Sequence, residues 1–96
     1  MEIKIDDEVL RSVRSMKEEK ALRIIAQTTK AMINGKAANV KRKDRTITAD
    51  VPTDLGDGKL AIALMNKEGK TVALLGYDQA AKKFLQQEED EEDEED

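Results

Sequence analysis

Residues 60–75 read Leu60-Ala61-Ile62-Ala63-Leu64-Met65, then Asn66-Lys67-Glu68-Gly69, then Lys70-Thr71-Val72-Ala73-Leu74-Leu75. Two apolar runs flank a four-residue polar stretch that ends in glycine, the pattern of a β-hairpin. Leu60, Ile62 and Leu64 point one way in an extended chain, and Ala61, Ala63 and Met65 point the other. Both faces are apolar, so the hairpin is expected to be central or covered on both sides. Its alanine face would let a helix or a second subunit approach closely. Gly76 is read as the end of this strand.

Upstream, residues 36–51 alternate in the same period. Ala38 and Val40 interleave with Asn39 and Lys41, while Ile47, Ala49 and Val51 interleave with Thr46, Thr48 and Asp50. Between them lies Lys41-Arg42-Lys43-Asp44-Arg45, so a second hairpin with a strongly basic tip is expected. Pro52 to Gly58 holds a proline and two glycines and reads as a loop.

The segment from Asp6 to about Ile33 reads as helix, with Asp6 or Asp7 as its cap. Val9, Leu10, Val13 and Met16 form one apolar stripe, and Leu22, Ile25, Ala26, Thr29, Met32 and Ile33 form another. The stripes fall out of step across Lys17-Glu18-Glu19-Lys20, which favours two helices, or one bent there, with Asn34-Gly35 as the stop. Asp78 is expected to cap a short helix through about Gln87, with Ala81, Phe84 and Leu85 inward. The expected fold is therefore α+β: an N-terminal helix or helix pair, a four-stranded antiparallel sheet of two hairpins, a short C-terminal helix, and a disordered acidic tail.

That tail, Glu88 to Asp96, is nine consecutive carboxylates. Residues 1–87 hold the other twelve of the 21 acidic side chains against all 17 Lys and Arg, so this body is net +5 within a chain of net −4. Carboxylates at that density resist desolvation and are expected to stay unpacked. The division is a small α+β domain over 1–87 and a disordered tail over 88–96. With a single Tyr and a single Phe, Tyr77 and Phe84, the core is light, and self-association into a homo-oligomer would enlarge it.

The chain has no Cys and no His, which removes disulfides, thiolate nucleophiles, the commonest general base and the commonest metal ligands. The glycine spacing matches no phosphate or dinucleotide loop. Asp54 and Asp57 sit in a loop that lacks the alternating oxygen ligands of a calcium site, and turn formation explains them. No catalytic, metal or cofactor residue is assigned, and the protein is expected not to be an enzyme. Ile3 and Ile5 alternate with charges, no apolar leader segment follows, and no run is long enough to span a membrane, so a cytoplasmic location is expected.

The functional expectation rests on Lys30, Lys36, Lys41, Arg42, Lys43 and Arg45. They are six cations within sixteen residues, with Asp44 the only acid among them. A hairpin tip presents such charges compactly to a nucleic-acid backbone, Lys as point charges and Arg as a directional fork. The shortage of aromatics argues for phosphate contact over base stacking. A plain solvated tip and contact with an acidic protein partner are the competing readings. Arg11, Arg14, Lys17, Lys20 and Arg23 read as the wet side of an amphipathic helix. The tail would shield the basic body, mimic a phosphate backbone, or add solubility. The leading expectation is a non-enzymatic protein that binds DNA or RNA, or serves nucleic-acid machinery, through a basic hairpin governed by the tail. The alternative is a protein-interaction module, such as an inhibitor, nucleic-acid mimic or assembly adaptor, acting through the tail or an apolar oligomerisation face.

Overall fold

The computed structural model describes residues 1–56 and 58–86. The acidic segment 88–96 and the last residue of the expected C-terminal helix lie outside the described residues. The fold is α+β, but it begins with a strand. Strand β1 spans Glu2–Asp6, followed by helices α1 (Asp7–Arg14) and α2 (Glu18–Gln27). Strands β2 (Lys30–Ile33), β3 (Lys36–Ala38), β4 (Val40–Lys43) and β5 (Thr46–Asp50) follow. After a single 3-10 turn at Thr53–Leu55 come β6 (Lys59–Met65), β7 (Thr71–Asp78) and β8 (Lys83–Leu85).

The eight strands form two antiparallel sheets, not one sheet of four. One has the order β1-β5-β4 and the other β3-β2-β6-β7-β8. The chain passes between them at Asn39, whose carbonyl accepts from the Asp50 amide at 3.0 Å. Residues 36–43 thus run as one stretch that pairs first with β2 and then with β5. A single apolar cluster joins the sheets and helices. It takes Ile3, Ile5, Ile47 and Ala49 from the first sheet, Ile33, Leu60, Ile62 and Leu64 from the second, and Leu10, Val13, Ala21, Ile24 and Ile25 from the helices.

The expected helix start with Asp6 as cap holds, but a strand precedes it and the helix ends well before Ile33. At its start, the Ile3/Ile5 alternation is a strand signal: both side chains are buried and pair across β5 with Ala49 and Ile47. Asp6 then ends the strand and caps α1, its Oδ1 accepting from the Val9 amide at 3.0 Å. Asp7 and Glu8 occupy the first turn of α1, and Arg11 and Arg14 the last, which suits the helix dipole. Ser15 closes α1 in the left-handed region (φ 54°), so the break between the two apolar stripes falls where the charged tetrad begins.

At its other end the helix stops at Gln27. Ala31 and Ile33 are buried at strand period, and β2 pairs with both β3 and β6. Asn34-Gly35 is therefore a hairpin turn and not a helix stop. Both residues have positive φ, 51° and 82°, as a two-residue type I′ turn demands. Asn34 also ties the turn to β6: its Oδ1 accepts from the Ala61 amide at 2.7 Å, and its own amide donates to the Ala61 carbonyl at 2.9 Å.

The expected C-terminal helix is likewise replaced. Asp78 does bind the amides ahead of it, accepting from Ala80 at 3.0 Å and Ala81 at 3.2 Å. The same local geometry serves a helix cap or an Asx turn. Lys82 adopts φ 57°, the chain reverses, and β8 pairs with β7, setting Phe84 edge-on against Tyr77 with ring centroids 5.0 Å apart. Among the described residues no helix follows Leu55. The hairpin of residues 60–75 forms as expected, extended to Lys59 and Asp78, with a bulge between Leu64 and Met65. No helix among the described residues is long and apolar enough to cross a membrane.

Candidate nucleic-acid interface

Strands β4 and β5 form the basic hairpin. Lys43 pairs with Thr46, leaving a two-residue turn at Asp44-Arg45 in which Asp44 takes φ 56°. Aspartate tolerates that region better than most residues because its short polar side chain can bond locally. β4 is the edge of its sheet, and its register divides the basic run. Arg42 lies across from Ile47, which lies across from Ile5, so this row faces the core side. Lys41 lies across from Thr48 and Lys4, and Lys43 across from Thr46 and Asp6, so these rows face outward.

The six expected site residues do not converge on one surface. Arg42 reaches the C-terminal end of α2, where its Nη1 donates to the Ala26 carbonyl and lies 3.4 Å from the carbonyls of Ile25 and Thr28. The last turn of α2 has no basic residue of its own. Helices end with unsatisfied carbonyls and a partial negative charge, and the edge-strand arginine meets both needs. Arg45 pairs with Glu18 at 3.0 Å near the start of α2. Lys36 pairs with Asp54, and that hydrogen bond holds the Asp54 carboxyl below its ordinary range. Lys30 stands at the opposite end of the β2–β3 hairpin from Lys36, beside Met65.

Lys41 and Lys43 remain, exposed on the outer face, with no ion-pair partner among the described residues. Sequence reasoning missed Lys4, which the register sets in the same row as Lys41; the Ile3/Ile5 alternation was the signal. Two neighbouring strands separate backbones by about 4.8 Å each, so Lys4 and Lys41, on either side of β5, start about 10 Å apart. The outer face also carries acids. Glu2 and Asp50 lie across from each other at its far end from the tip, and Asp6 has its carboxylate committed to α1. The helical cations are partly engaged as well: Arg11 lies 3.7 Å from Asp7, and Arg14 donates to the Leu74 carbonyl at 2.8 Å.

A shallow cleft beside Arg42 is lined by Ala26, Gln27, Thr29, Asn66, Lys67 and Glu68. It joins the α2 terminus to the β6–β7 turn, where the Asn66 side chain accepts from the Glu68 and Lys70 amides at 3.0 Å each. Among the described residues no group of three or more Asp or Glu gathers as a metal site would require. No protein-family model, no curated protein and no solved structure matches this chain.

Proposed function

We propose that the protein is a non-enzymatic, cytoplasmic accessory module that binds a nucleic-acid backbone through the β4–β5 hairpin, with the acidic segment 88–96 competing for the same cations. Lys41, Lys43 and Arg45 are the contacts in this reading. Lys36 and Arg42 add positive charge around them while held by Asp54 and the end of α2, and Lys30 lies exposed beside Met65. The observation that carries the reading is the outward placement of Lys41 and Lys43, flanked by the hydroxyls of Thr46 and Thr48. Lysines supply charge to phosphate, and short hydroxyls can donate to the same oxygens. The Arg45–Glu18 pair is exposed on both sides, 59% and 48%, so a phosphate can displace the glutamate at little cost.

A salt titration of DNA and RNA binding tests this with the full chain, residues 1–87, and residues 1–87 bearing K41S, K43S and R45S. Three phosphate contacts give a slope of about −2.7 in log K against log salt on duplex DNA. The triple variant should flatten that slope, and removal of the tail should tighten binding, most at low salt. No binding by residues 1–87 at about 50 mM salt rejects the reading, since phosphate contacts are strongest there.

One observation favours a second reading, an interaction module with an apolar oligomerisation face. Leu74 is 55% exposed on the outer side of the five-stranded sheet, with Ala61 exposed on the neighbouring strand and Ala37 exposed at the β3 edge of the same face.

A further inference from the structure

The register of the five-stranded sheet assembles its outer face row by row. Ala37, Met32, Ala63 and Leu74 lie across from one another on β3, β2, β6 and β7. The next row holds Ala61, Gly76 and Leu85 on β6, β7 and β8. Neither row contains a formal charge, and charged residues enter only at the ends, Lys30 beside Met65 and Lys59 beside Asp78 and Lys83. The helices bury the opposite face, where Leu60, Ile62, Leu64 and Leu75 sit in the core.

This face has relief. A shallow apolar groove runs over Ala61 and Gly76, walled by Leu74 and Leu85. Gly76 lets the Leu85 wall close in beside it, since an added Cβ there would meet Leu85 Cδ1 at 3.1 Å. The groove and its neighbour Leu74, the one strongly exposed large hydrophobic among the described residues of the sheet, are two residues apart on β7. We infer that this face is a two-fold interface with a second copy of the chain, in which Leu74 of each copy fills the groove of the other. The axis passes between the two rows, so that each row lies over the other row of the second copy.

Three features select a second copy over another partner. The face carries both the knob and the groove it fits, as an isologous contact requires. The central rows carry no charge, and Lys59, which also lines the groove, is exposed at its end, so its long side chain can keep the ammonium in water. The area suits a weak contact: five strands span about 24 Å and six residue steps, charged end rows included, about 20 Å, or at most about 1,000 Å² over both copies. That reaches the lower bound of a specific interface at best and stays below the usual size, so the association is reversible and concentration-dependent. The inference deepens the interaction reading and does not depend on whether Lys41 and Lys43 meet phosphate.

Sedimentation equilibrium of the full chain tests it, with L74E, A61R and T48E variants and far-UV circular dichroism as a folding check. Leu74 and Ala61 are exposed, so both substitutions should keep the fold while lowering the mass from two chains to one. T48E, on the outer face of the other sheet, should remain a dimer. If the full chain stays monomeric up to about 100 µM, the inference fails. It fails equally if L74E or A61R remains folded and dimeric, or if T48E also dissociates. Should L74E lose its fold, A61R alone decides by the same readout.

Discussion

Arg42 on β4 lies 3.4 Å from the Thr28 carbonyl at the end of α2. A cation of the basic run thus closes a helix that ends 15 residues upstream, at Gln27. Thr28 shares that junction: it is buried, and its hydroxyl donates to the Ile24 carbonyl at 2.7 Å. Replacing Arg42 by Met keeps the aliphatic reach and removes the cap. A charged cap of this partly exposed kind contributes about 1 kcal/mol, so the melting temperature should fall by about 4–8 °C. A thermal melt unchanged within about 2 °C would show that the cap carries no net stability.

The double variant K41S/K43S should leave the melt almost unchanged, because both side chains point outward from the sheet. Any nucleic-acid salt slope should shrink by about 2 in the same variant, close to one for each phosphate no longer neutralised. R42M should do the opposite, lowering stability while changing the slope less.

Asp54 offers a pH test. The hydrogen bond from Lys36 lowers its carboxyl from 3.8, against the opposing effect of desolvation. A depressed folded pKa stabilises above the unfolded value and loses that contribution as pH falls through the folded one. The carboxyl carbon resonance should therefore titrate with a midpoint below 3.8, and K36Q should return it towards that value. Stability near pH 7 should change little in K36Q, since both partners are half exposed or more.

The Asn34-Gly35 turn separates two kinds of cost. G35A places a Cβ in open space but at φ 82°, so its penalty is conformational, about 1 kcal/mol. N34A gives up left-handed preference and also leaves the Ala61 amide without its side-chain acceptor. A urea melt should rank N34A as the more destabilised, by about 1 kcal/mol beyond G35A. Equal midpoints would mean that the Ala61 bond is replaced by water.

Much of the fold was legible where local pattern and tertiary pairing agree. The 60–75 hairpin needed only its alternation and turn, and the 40–50 hairpin only its basic tip between two alternating runs. Errors fell where a short segment satisfied two periods. Met32 and Ile33 extend a helical stripe and also fit a strand. Phe84 and Leu85 fit a helix capped by Asp78 and equally a strand after an Asx turn. Residue spacing over a few positions cannot separate a helical period from a strand period, so the pairing partner decides. Asn34-Gly35 was the signal for the strand assignment, since this pair favours type I′ turns.

The sequence by itself determined the separation of charge: a net positive body over 1–87, nine carboxylates after it, and no Cys or His anywhere. It also determined the apolar alternation that makes residues 60–75 a hairpin. Only the tertiary structure decided how the six cations divide. Register turned Lys41 and Lys43 outward and Arg42 inward, and the approach of α2 drew Arg42 to Ala26 and Arg45 to Glu18. Pairing likewise decided that the alanine face of β6 joins Met32, Leu74 and Leu85 in one uncharged surface. The reason is physical: charge and period are properties of neighbours along the chain, whereas a cation's partner and a strand's second neighbour are fixed by residues remote in sequence.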